Sequence, residues 1–376
     1  MIETAPSVAF LEAVRDVSAG NGKVPQSTLL GTGDLAVVDQ GARLIAGYTN
    51  DRSMRVSAKG PLIVFGDHTR TFKYVDFPFA MGADGVKVLA PREGFDAKFV
   101  YRYLKACSIP SAGYSRHFKF LKEISVPRPP IEEQRRITTI LDQAEAIRIK
   151  RRQVLAHLDA LVQSTFHEMF RDPIGEGWER VPLGQVVGRI DNGTSPNCES
   201  RPAEADEWGV LKLGSVTYGV FRPGENKAYL GQVGGMSLNE VRPGDVLMTR
   251  KNTRELVGAV AVVDDVRPRL LLPDLIFRLE LDRARVDPRY FQVMMMSGRI
   301  RAAVRSLSNG SAASMPNISK ARLRTLEIDL PPIRLQRQFN GRIAAINVQR
   351  DVIERAAAAD EELFLSLQSR AFRGEL

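Results

Sequence analysis

The sequence predicts an α+β protein, with two mixed α/β domains and two long antiparallel coiled-coil helices related by an internal pseudo-twofold repeat. Three observations predict it: a segment that occurs twice, a heptad apolar spacing after each copy, and strand-like runs in the rest of each half. The repeat is too long for a solenoid, whose units span about 20–50 residues. We therefore expect a duplicated unit made of a domain followed by a helix.

The duplicated segment reads PPIEEQRRIT at 129–138 and PPIRLQRQFN at 331–340, an offset of 202 residues. The stretches that follow align without a gap and both end in Phe-Arg. Proline is tolerated only before or within the first turn of a helix, so each Pro pair predicts a helix start. The chain thus divides into a first domain (1–128), a first helical region (129–171), a second domain (172–328) and a second helical region (329–376).

Both helical regions carry apolar residues at alternating steps of four and three, the spacing of a coiled-coil seam. The apolar seam residues are Ile137, Leu141, Leu155, Leu158 and Val162 in the first region and Phe339, Ile343, Ile346, Ile353, Phe364 and Leu367 in the second. A helix over 131–169 would be about 58 Å long, and a single apolar stripe of that length needs a partner. We expect the two helices to pair with each other, the alternative being that each packs on another chain.

Charged residues interrupt the seam at Arg148, Arg151, Arg350 and Asp360. A charge buried in a coiled coil costs stability but can fix the register of the helices. In an antiparallel pair, Asp360 is expected to find Arg148 or Arg151 across the interface.

The two domains contain short apolar runs bounded by Gly, Asp and Pro, which predict strands, and one amphipathic stretch each, which predicts a helix. Strands are expected at 35–40, 60–66 and 86–91 in the first domain and at 210–216, 244–250, 257–264 and 274–281 in the second; helices are expected at 98–106 and 289–307.

The net charge of +9 falls mainly on the domains: residues 1–130 hold 17 basic and 12 acidic side chains, and residues 172–328 hold 22 and 19. Basic surface on both domains favours a polyanion binder, although charges of this size are ordinary for such domains. No run of 18 apolar residues suggests a membrane span, and the first ten residues lack the features of a signal peptide. With only Cys107 and Cys198, a reducing, cytoplasmic location is expected.

The first helix start, PPIEEQRRITTILD, resembles the Pro-Pro-x-x-Glu-Gln-Arg-x-Ile pattern of the specificity subunits of type I restriction-modification systems. The second copy departs from it, with Leu335 where Glu133 stands. The segments at 63–89, 244–263 and 369–376 are also similar to segments of that family. The resemblance covers essentially the whole chain and identifies the two domains as target-recognition domains and the two helices as spacers.

The resemblance implies a non-catalytic subunit that reads a bipartite target in double-stranded DNA and docks two methyltransferase (M) subunits, with motor-nuclease (R) subunits in the full complex. It implies no cofactor in this chain; S-adenosylmethionine, and ATP with Mg²⁺ for restriction, are expected in the partner subunits. The sequence agrees, because it holds no Gly-x4-Gly-Lys-Ser/Thr loop and no metal-ligand spacing among its four histidines and two cysteines. The alternatives are the specificity subunit of a fused restriction-methylation system and an orphan scaffold without DNA recognition.

Residues that read DNA can be proposed from chemistry, because Arg or Lys recognises guanine, Asn or Gln recognises adenine, and hydroxyl and basic groups bind phosphate. Polar donors follow predicted strands at two places and also occupy nearby loops. The candidates are Tyr48, Asn50, Arg52, His68, Thr69, Arg70, Lys73 and Tyr74 in the first domain, and Lys212, Ser215, Arg250, Lys251, Asn252, Thr253, Arg254, Asn309, Ser311 and Asn317 in the second. The alternatives are a solvated loop around Arg70 and a plain linker at 309–317.

Overall fold

A computed structural model describes residues 6–83, 85–111, 113, 115–171, 177–308 and 315–376. The chain forms two compact units. Unit 1 consists of Met1–Gln153 with Glu354–Leu376, and unit 2 consists of Val154–Ile353. The division falls within both long helices, so each unit contains a mixed α/β part and a segment of each helix. The division of the sequence into two domains and two helical regions stays a prediction, because the two compact units are defined by contacts and each includes part of both helices.

Unit 1 contains two four-stranded sheets and a two-stranded one. Its strands are β1 (Ser7–Ala9), β2 (Val14–Asp16), β3 (Lys23–Val24), β4 (Leu35–Val38), β5 (Gly47–Thr49), β6 (Leu62–Gly66), β7 (Phe72–Val75), β8 (Phe79–Gly82), β9 (Val86–Pro91) and β10 (Ser125–Pro127). Its helices are α1 (Phe10–Ala13), α2 (Ala97–Ala106), α3 (Phe118–Leu121) and the first part of α4 (Ile131–Met169). The sheet orders are β2-β9-β6-β7, β3-β8-β4-β5 and β1-β10.

Unit 2 contains sheets of four, three and two strands. Its strands are β11 (Glu179–Pro182), β12 (Val187–Asn192), β13 (Trp208–Leu211), β14 (Asn226–Tyr229), β15 (Val246–Thr249), β16 (Val260–Val262), β17 (Leu270–Leu271), β18 (Ile276–Leu281) and β19 (Glu327–Leu330). Its helices are α5 (Pro288–Met296), α6 (Gly298–Ser306), α7 (Lys320–Arg324) and the first part of α8 (Ile333–Arg373). The sheet orders are β12-β18-β15-β16, β14-β13-β17 and β11-β19.

The two units share one strand plan. In the fully antiparallel four-stranded sheet of each unit, the second strand (β2 or β12) pairs with the last strand before the amphipathic helix (β9 or β18). That last strand pairs in turn with the first strand of a hairpin, β6–β7 or β15–β16. In each unit the first strand pairs antiparallel with the strand just before the Pro pair. The second sheets match as well, because β4 and β13 each have one parallel neighbour and one antiparallel neighbour.

Segments of both long helices contribute to the core of each unit. In unit 1, Ile137 and Leu141 of α4 join Phe364 of α8 in the cluster around Phe65 and Phe99. In unit 2, the ring of Phe339 lies 5.7 Å from Phe166 and 5.5 Å from Phe170, in the cluster that includes Val162 and Ile343. The seven seam positions named above in the first helix and the eight in the second are all buried or half-buried. Burying this stripe offsets the cost of ordering helices that would be marginal alone.

In the ion pairs between the two helices, residue numbers rise along one helix while they fall along the other. In unit 1, Arg148 lies 2.5 Å from Glu361 and Arg151 pairs with Asp360, one of the two partners expected for that carboxylate. In unit 2, Asp159 lies 3.0 Å from Arg350 and Glu168 lies 3.7 Å from Arg342. Within each unit, therefore, the two helix segments are antiparallel.

The first long helix spans 39 residues, Ile131–Met169, and the second spans 41, as the Pro pairs predict. Two expectations about secondary structure were wrong. The strand expected at 210–216 ends at Leu211, and Leu213–Ser215 form a 3₁₀ turn. The helix expected at 289–307 is two helices, because Ser297 takes an extended conformation (ψ 147°) before Gly298 and ends one helix while it begins the next.

Among the described residues, no helix combines the length and apolarity that a bilayer span requires. Nor does the described part of the chain bring three or more His, Cys, Asp or Glu side chains together as a metal site.

Because Phe339 is fully buried among aromatic rings, we expect Phe339→Ala to lower the free energy of unfolding of unit 2 by about 3–5 kcal/mol. Val348→Ala is the matched control: it lies on the same helix with 61% of its surface exposed and should change stability by less than about 0.5 kcal/mol. Urea unfolding, followed by Trp fluorescence, measures both. Equal midpoints for the two variants would contradict the packing described here.

Candidate nucleic-acid interface

In unit 1 the candidates His68, Thr69 and Arg70 form the turn of the β6–β7 hairpin. The Arg70 N–H donates to the Gly66 carbonyl at 2.7 Å, and the Gly66 N–H donates to Thr71 at 2.8 Å. Arg70 has a φ of 60°, a left-handed conformation that costs a non-glycine residue roughly 1–2 kcal/mol. A strained backbone held by its surroundings is common at binding sites. The turn therefore presents a long basic side chain from a fixed position.

Two neighbouring segments hold this turn. The Thr69 hydroxyl donates to the Gln40 carbonyl at 2.6 Å, and the His68 N–H donates to the Gln40 side chain at 3.3 Å. On the other side, the buried Asp67 carboxylate accepts from the Phe118 N–H at 2.7 Å, at the start of α3. The turn that carries these donors is thus fixed by hydrogen bonds to Gln40 on one side and to the start of α3 on the other.

Lys73 and Tyr74 lie in strand β7 rather than in the turn, which corrects their expected position. The Lys73 side chain is 4% exposed; its ammonium donates to the Asp39 carbonyl at 2.7 Å and lies 3.3 Å from the Asp39 carboxylate. Burial lowers the pKa of Lys73, and the Asp39 carboxylate partly opposes that shift. The Tyr74 ring packs 5.9 Å from Tyr101, and burial raises the pKa of its hydroxyl. In this conformation Lys73 ties β7 to Asp39, and Tyr74 packs against α2.

Tyr48, Asn50 and Arg52 form a separate surface around Asp34. The Asn50 side chain accepts from the Asp34 N–H at 3.2 Å, and the Arg52 guanidinium lies 3.1 Å from the Asp34 carboxylate with 82% of its side chain exposed. Tyr48 pairs with Leu30 through its backbone. Because the Arg52 pair is largely solvated, its guanidinium can exchange Asp34 for another anion at little cost.

In unit 2 the structure brings four candidates together. Arg250 donates through Nε to the Asn317 side chain at 3.1 Å, and Lys251 forms a β-bridge with Asn317. The Asn252 N–H donates to Pro316 at 3.3 Å. Thr253 and Arg254 follow in the same loop and are exposed. Asn309 and Ser311 lie outside the described residues.

Two of the unit 2 candidates, Ser215 and Asn252, are buried. The Ser215 hydroxyl is inaccessible and donates to the Lys212 carbonyl at 2.7 Å, while the Lys212 ammonium lies 2.8 Å from Glu225. Asn252 is 6% exposed as a residue, and its side chain donates to the Thr217 hydroxyl at 3.1 Å. Ser215 therefore closes its own 3₁₀ turn, and Asn252 ties its loop to Thr217, so neither side chain presents its donor to solvent here.

Sequence reasoning missed Arg301, which supports the unit 2 loop from α6. Its buried guanidinium donates to the carbonyls of Val257 and Glu255, both at 2.7 Å. Burial lowers the pKa of this guanidinium, which remains charged. A helical arginine 44 residues away in the chain gives no sequence signal for such a contact. The tight packing also requires glycine at 258, where φ is 76° and a Cβ would lie 2.3 Å from Val304.

The two donor clusters occupy the same place in the shared strand plan. His68, Thr69 and Arg70 connect β6 to β7, and the Arg250–Arg254 cluster lies between β15 and β16, the matching hairpin. In both units this hairpin loop is also tied by backbone hydrogen bonds to the segment that leads into the short helix α3 or α7. Two donor-rich loops therefore lie at corresponding positions on similar scaffolds.

Because the left-handed conformation at Arg70 penalises any side chain, we expect Arg70→Gly to be more stable than Arg70→Ala by about 1 kcal/mol. Both variants lose the guanidinium, so the comparison isolates the backbone. Urea denaturation of unit 1 measures the difference. An alanine variant as stable as the glycine variant would show that the turn carries no such strain.

The family model for the type I restriction modification DNA specificity domain matches residues 17–159. The EcoEI specificity subunit, from a type I restriction enzyme of Escherichia coli, is 33% identical over 168 residues, which cover 44% of this chain and 28% of that protein. This chain thus spans little more than a quarter of the length of that curated relative.

Among solved structures, the type I restriction-modification system S subunit from M. genitalium matches with a TM-score of 0.58 at 13% identity, over 98% of this chain and 96% of that one. At that identity the likeness shows the fold. The HsdS subunit from Thermoanaerobacter tengcongensis aligns over 100% and 98% of the two chains at 19% identity, but its TM-score of 0.35 carries no weight. Residues 17–159 are thus similar to the DNA specificity domain of type I restriction-modification systems, part of the chain is similar to a specificity subunit, and the fold is that of the S subunit from M. genitalium.

Proposed function

We propose that this chain is the sequence-reading subunit of a type I restriction-modification complex, without catalysis of its own. It reads a bipartite target in double-stranded DNA, one part with each of two target-recognition domains at 1–128 and 172–328. The observation that carries this proposal is the pair of donor-rich hairpin loops at matching positions of two similar strand plans. Arg, Lys and Thr side chains on such loops can bind bases and phosphates.

The target is bipartite because the recognition apparatus is duplicated. The two domains are related by an internal pseudo-twofold repeat, and the helical regions at 129–171 and 329–376 pair as an antiparallel coiled coil that spaces them. The buried seam and the ion pairs described within each unit support this pairing. A rod of fixed length keeps the gap between half-sites constant, while the bases inside the gap stay free.

The complex also contains two methyltransferase subunits, with motor-nuclease subunits added for restriction. One surface of α4 in unit 2 suits a helical partner: Val154 and Leu161 lie seven residues apart and are 41% and 50% exposed. An exposed apolar stripe at heptad spacing is a typical docking face for an amphipathic helix. S-adenosylmethionine, ATP and Mg²⁺ belong to the partner subunits.

The proposal predicts a new methyladenine motif in two parts, separated by a gap of fixed length, when this chain is co-expressed with its neighbouring methyltransferase. Long-read methylome sequencing of that host, compared with a strain lacking this chain, measures it. A motif whose halves each respond to variants of one domain supports the proposal. No change in methylation, with the methyltransferase shown to be active, would overturn it in favour of an orphan scaffold. A specificity subunit acting with a fused restriction-methylation protein would yield its motif only with that protein.

Docking on α4 can be tested by charge. We expect Val154→Lys with Leu161→Lys to lower the amount of methyltransferase that co-purifies with this chain by at least about tenfold, because a lysine cannot be buried unpaired in an apolar interface. Ile149→Lys is the matched control, because Ile149 is 45% exposed on the same helix but lies off the stripe. If co-purification is lost equally in all variants, or in none, the stripe is not the surface that binds the methyltransferase.

A further inference from the structure

One buried carboxamide occurs at the start of each long helix and makes the same three hydrogen bonds in both units. Gln134 is inaccessible to solvent. Its Nε2 donates to the carbonyls of Gly94 at 2.9 Å and Pro129 at 2.8 Å, and its Oε1 accepts from the Asp96 N–H at 2.8 Å. The amide has two N–H donors, and both are used.

Gln336 repeats this arrangement in unit 2. It too is inaccessible; its Nε2 donates to Arg285 at 2.9 Å and Pro331 at 2.8 Å, and its Oε1 accepts from the Asp287 N–H at 2.8 Å. The two glutamines occupy the same position in the duplicated segment, and the bonded residues match as well: a loop carbonyl, an aspartate N–H and the carbonyl of the first proline.

The bonded aspartates are the N-caps of the helices that cover the sheets. Asp96 accepts from the N–H groups of Lys98 and Phe99 at the start of α2, and Asp287 accepts from Arg289 and Tyr290 at the start of α5. An N-cap residue accepts with its side chain, so its own N–H needs another acceptor. Each glutamine supplies that acceptor and thereby joins the start of a long helix to the start of a helix in the mixed α/β part.

The joined helices contact the strands next to the donor-rich loops. The Tyr101 ring of α2 packs 5.9 Å from Tyr74 of β7, and the Val262 N–H of β16 donates to Gln292 of α5 at 3.3 Å. A continuous path of packed groups therefore runs, within each unit, from the hairpin loop through its strand and the amphipathic helix to the glutamine and the long helix.

We infer that Gln134 and Gln336 are positioning residues, which fix the angle at which each long helix leaves its recognition domain and so set the length of gap the protein accepts. The inference rests on the proposed function. An apolar side chain such as leucine could fill the same volume. It would leave one buried N–H and two buried carbonyls unpaired, and it would not fix the orientation of the long helix through directed hydrogen bonds. A glutamate keeps the acceptor for Asp96 but, when ionised, cannot donate.

The test uses the full chain in complex with its methyltransferase and a plasmid library in which the gap of the methylated motif is varied by one base pair at a time. In Gln134→Leu, methylation at gaps one base pair too long or too short should rise at least several-fold relative to the correct gap. Gln336→Leu should do the same through unit 2. The bases read within each half-site should not change.

Thr138→Val is the matched control, because its hydroxyl is buried one turn later and donates only to the Gln134 carbonyl among the described bonds. Thermal melting of every variant, together with the gap profile, separates stability from positioning. If glutamine variants lose stability but keep the wild-type ratio between correct and wrong gaps, the residues are merely structural and the inference fails. If Gln134→Leu does not fold, Gln336→Leu supplies the gap profile. A wild-type complex that shows no fixed gap would overturn the proposed function instead.

Discussion

The burial of the apolar stripe on the long helices is the constraint on which the rest of this structure depends. A helix of about forty residues cannot persist in water with one apolar face uncovered. Here each unit covers its segments with a common core, in which residues of both helices and of the sheets pack together. The mixed α/β parts are therefore not appendages of a rod. Each is folded around helix segments, so its orientation on those segments follows from side-chain packing.

Charges inside this seam trade stability for register. Arg148 is held by Glu145 at 2.8 Å and by Glu361 at 2.5 Å, and its guanidinium lies 4.2 Å from the centre of the Phe364 ring. Leucine at this position would bury more apolar area, but it would also tolerate a slip by one heptad. With Arg151 facing Asp360 on the next turn, a slip would leave charges unpaired. The ion pairs thus fix the register of the two helix segments within unit 1.

The sequence predicted what local patterns determine. The Pro pairs and the heptad spacing defined both long helices, and apolar runs bounded by Gly and Pro gave strands such as Leu62–Gly66 and Val86–Pro91. Contacts between distant segments were beyond it. Nothing in the run FKYV distinguishes Lys73 from an exposed lysine; its partner Asp39, which follows β4, lies far from it in the chain. Arg301 and Thr217 were missed for the same reason, since both act on a loop that lies far from them in the chain.

Gln134 and Gln336 lie between these two cases. Their repetition was visible in the sequence, but repetition alone does not distinguish a surface residue that contacts a partner from a buried residue that holds a turn. Burial decides between them: a carboxamide with no accessible surface and every donor used contacts nothing outside its own unit. Duplicated domains that diverge to read different bases must change the residues on their loops. The junction between domain and helix faces the opposite demand, since any change there would move the loops as a body. The same amide in both copies, beside loops that share little more than a Thr-Arg pair, is what those opposite demands would leave.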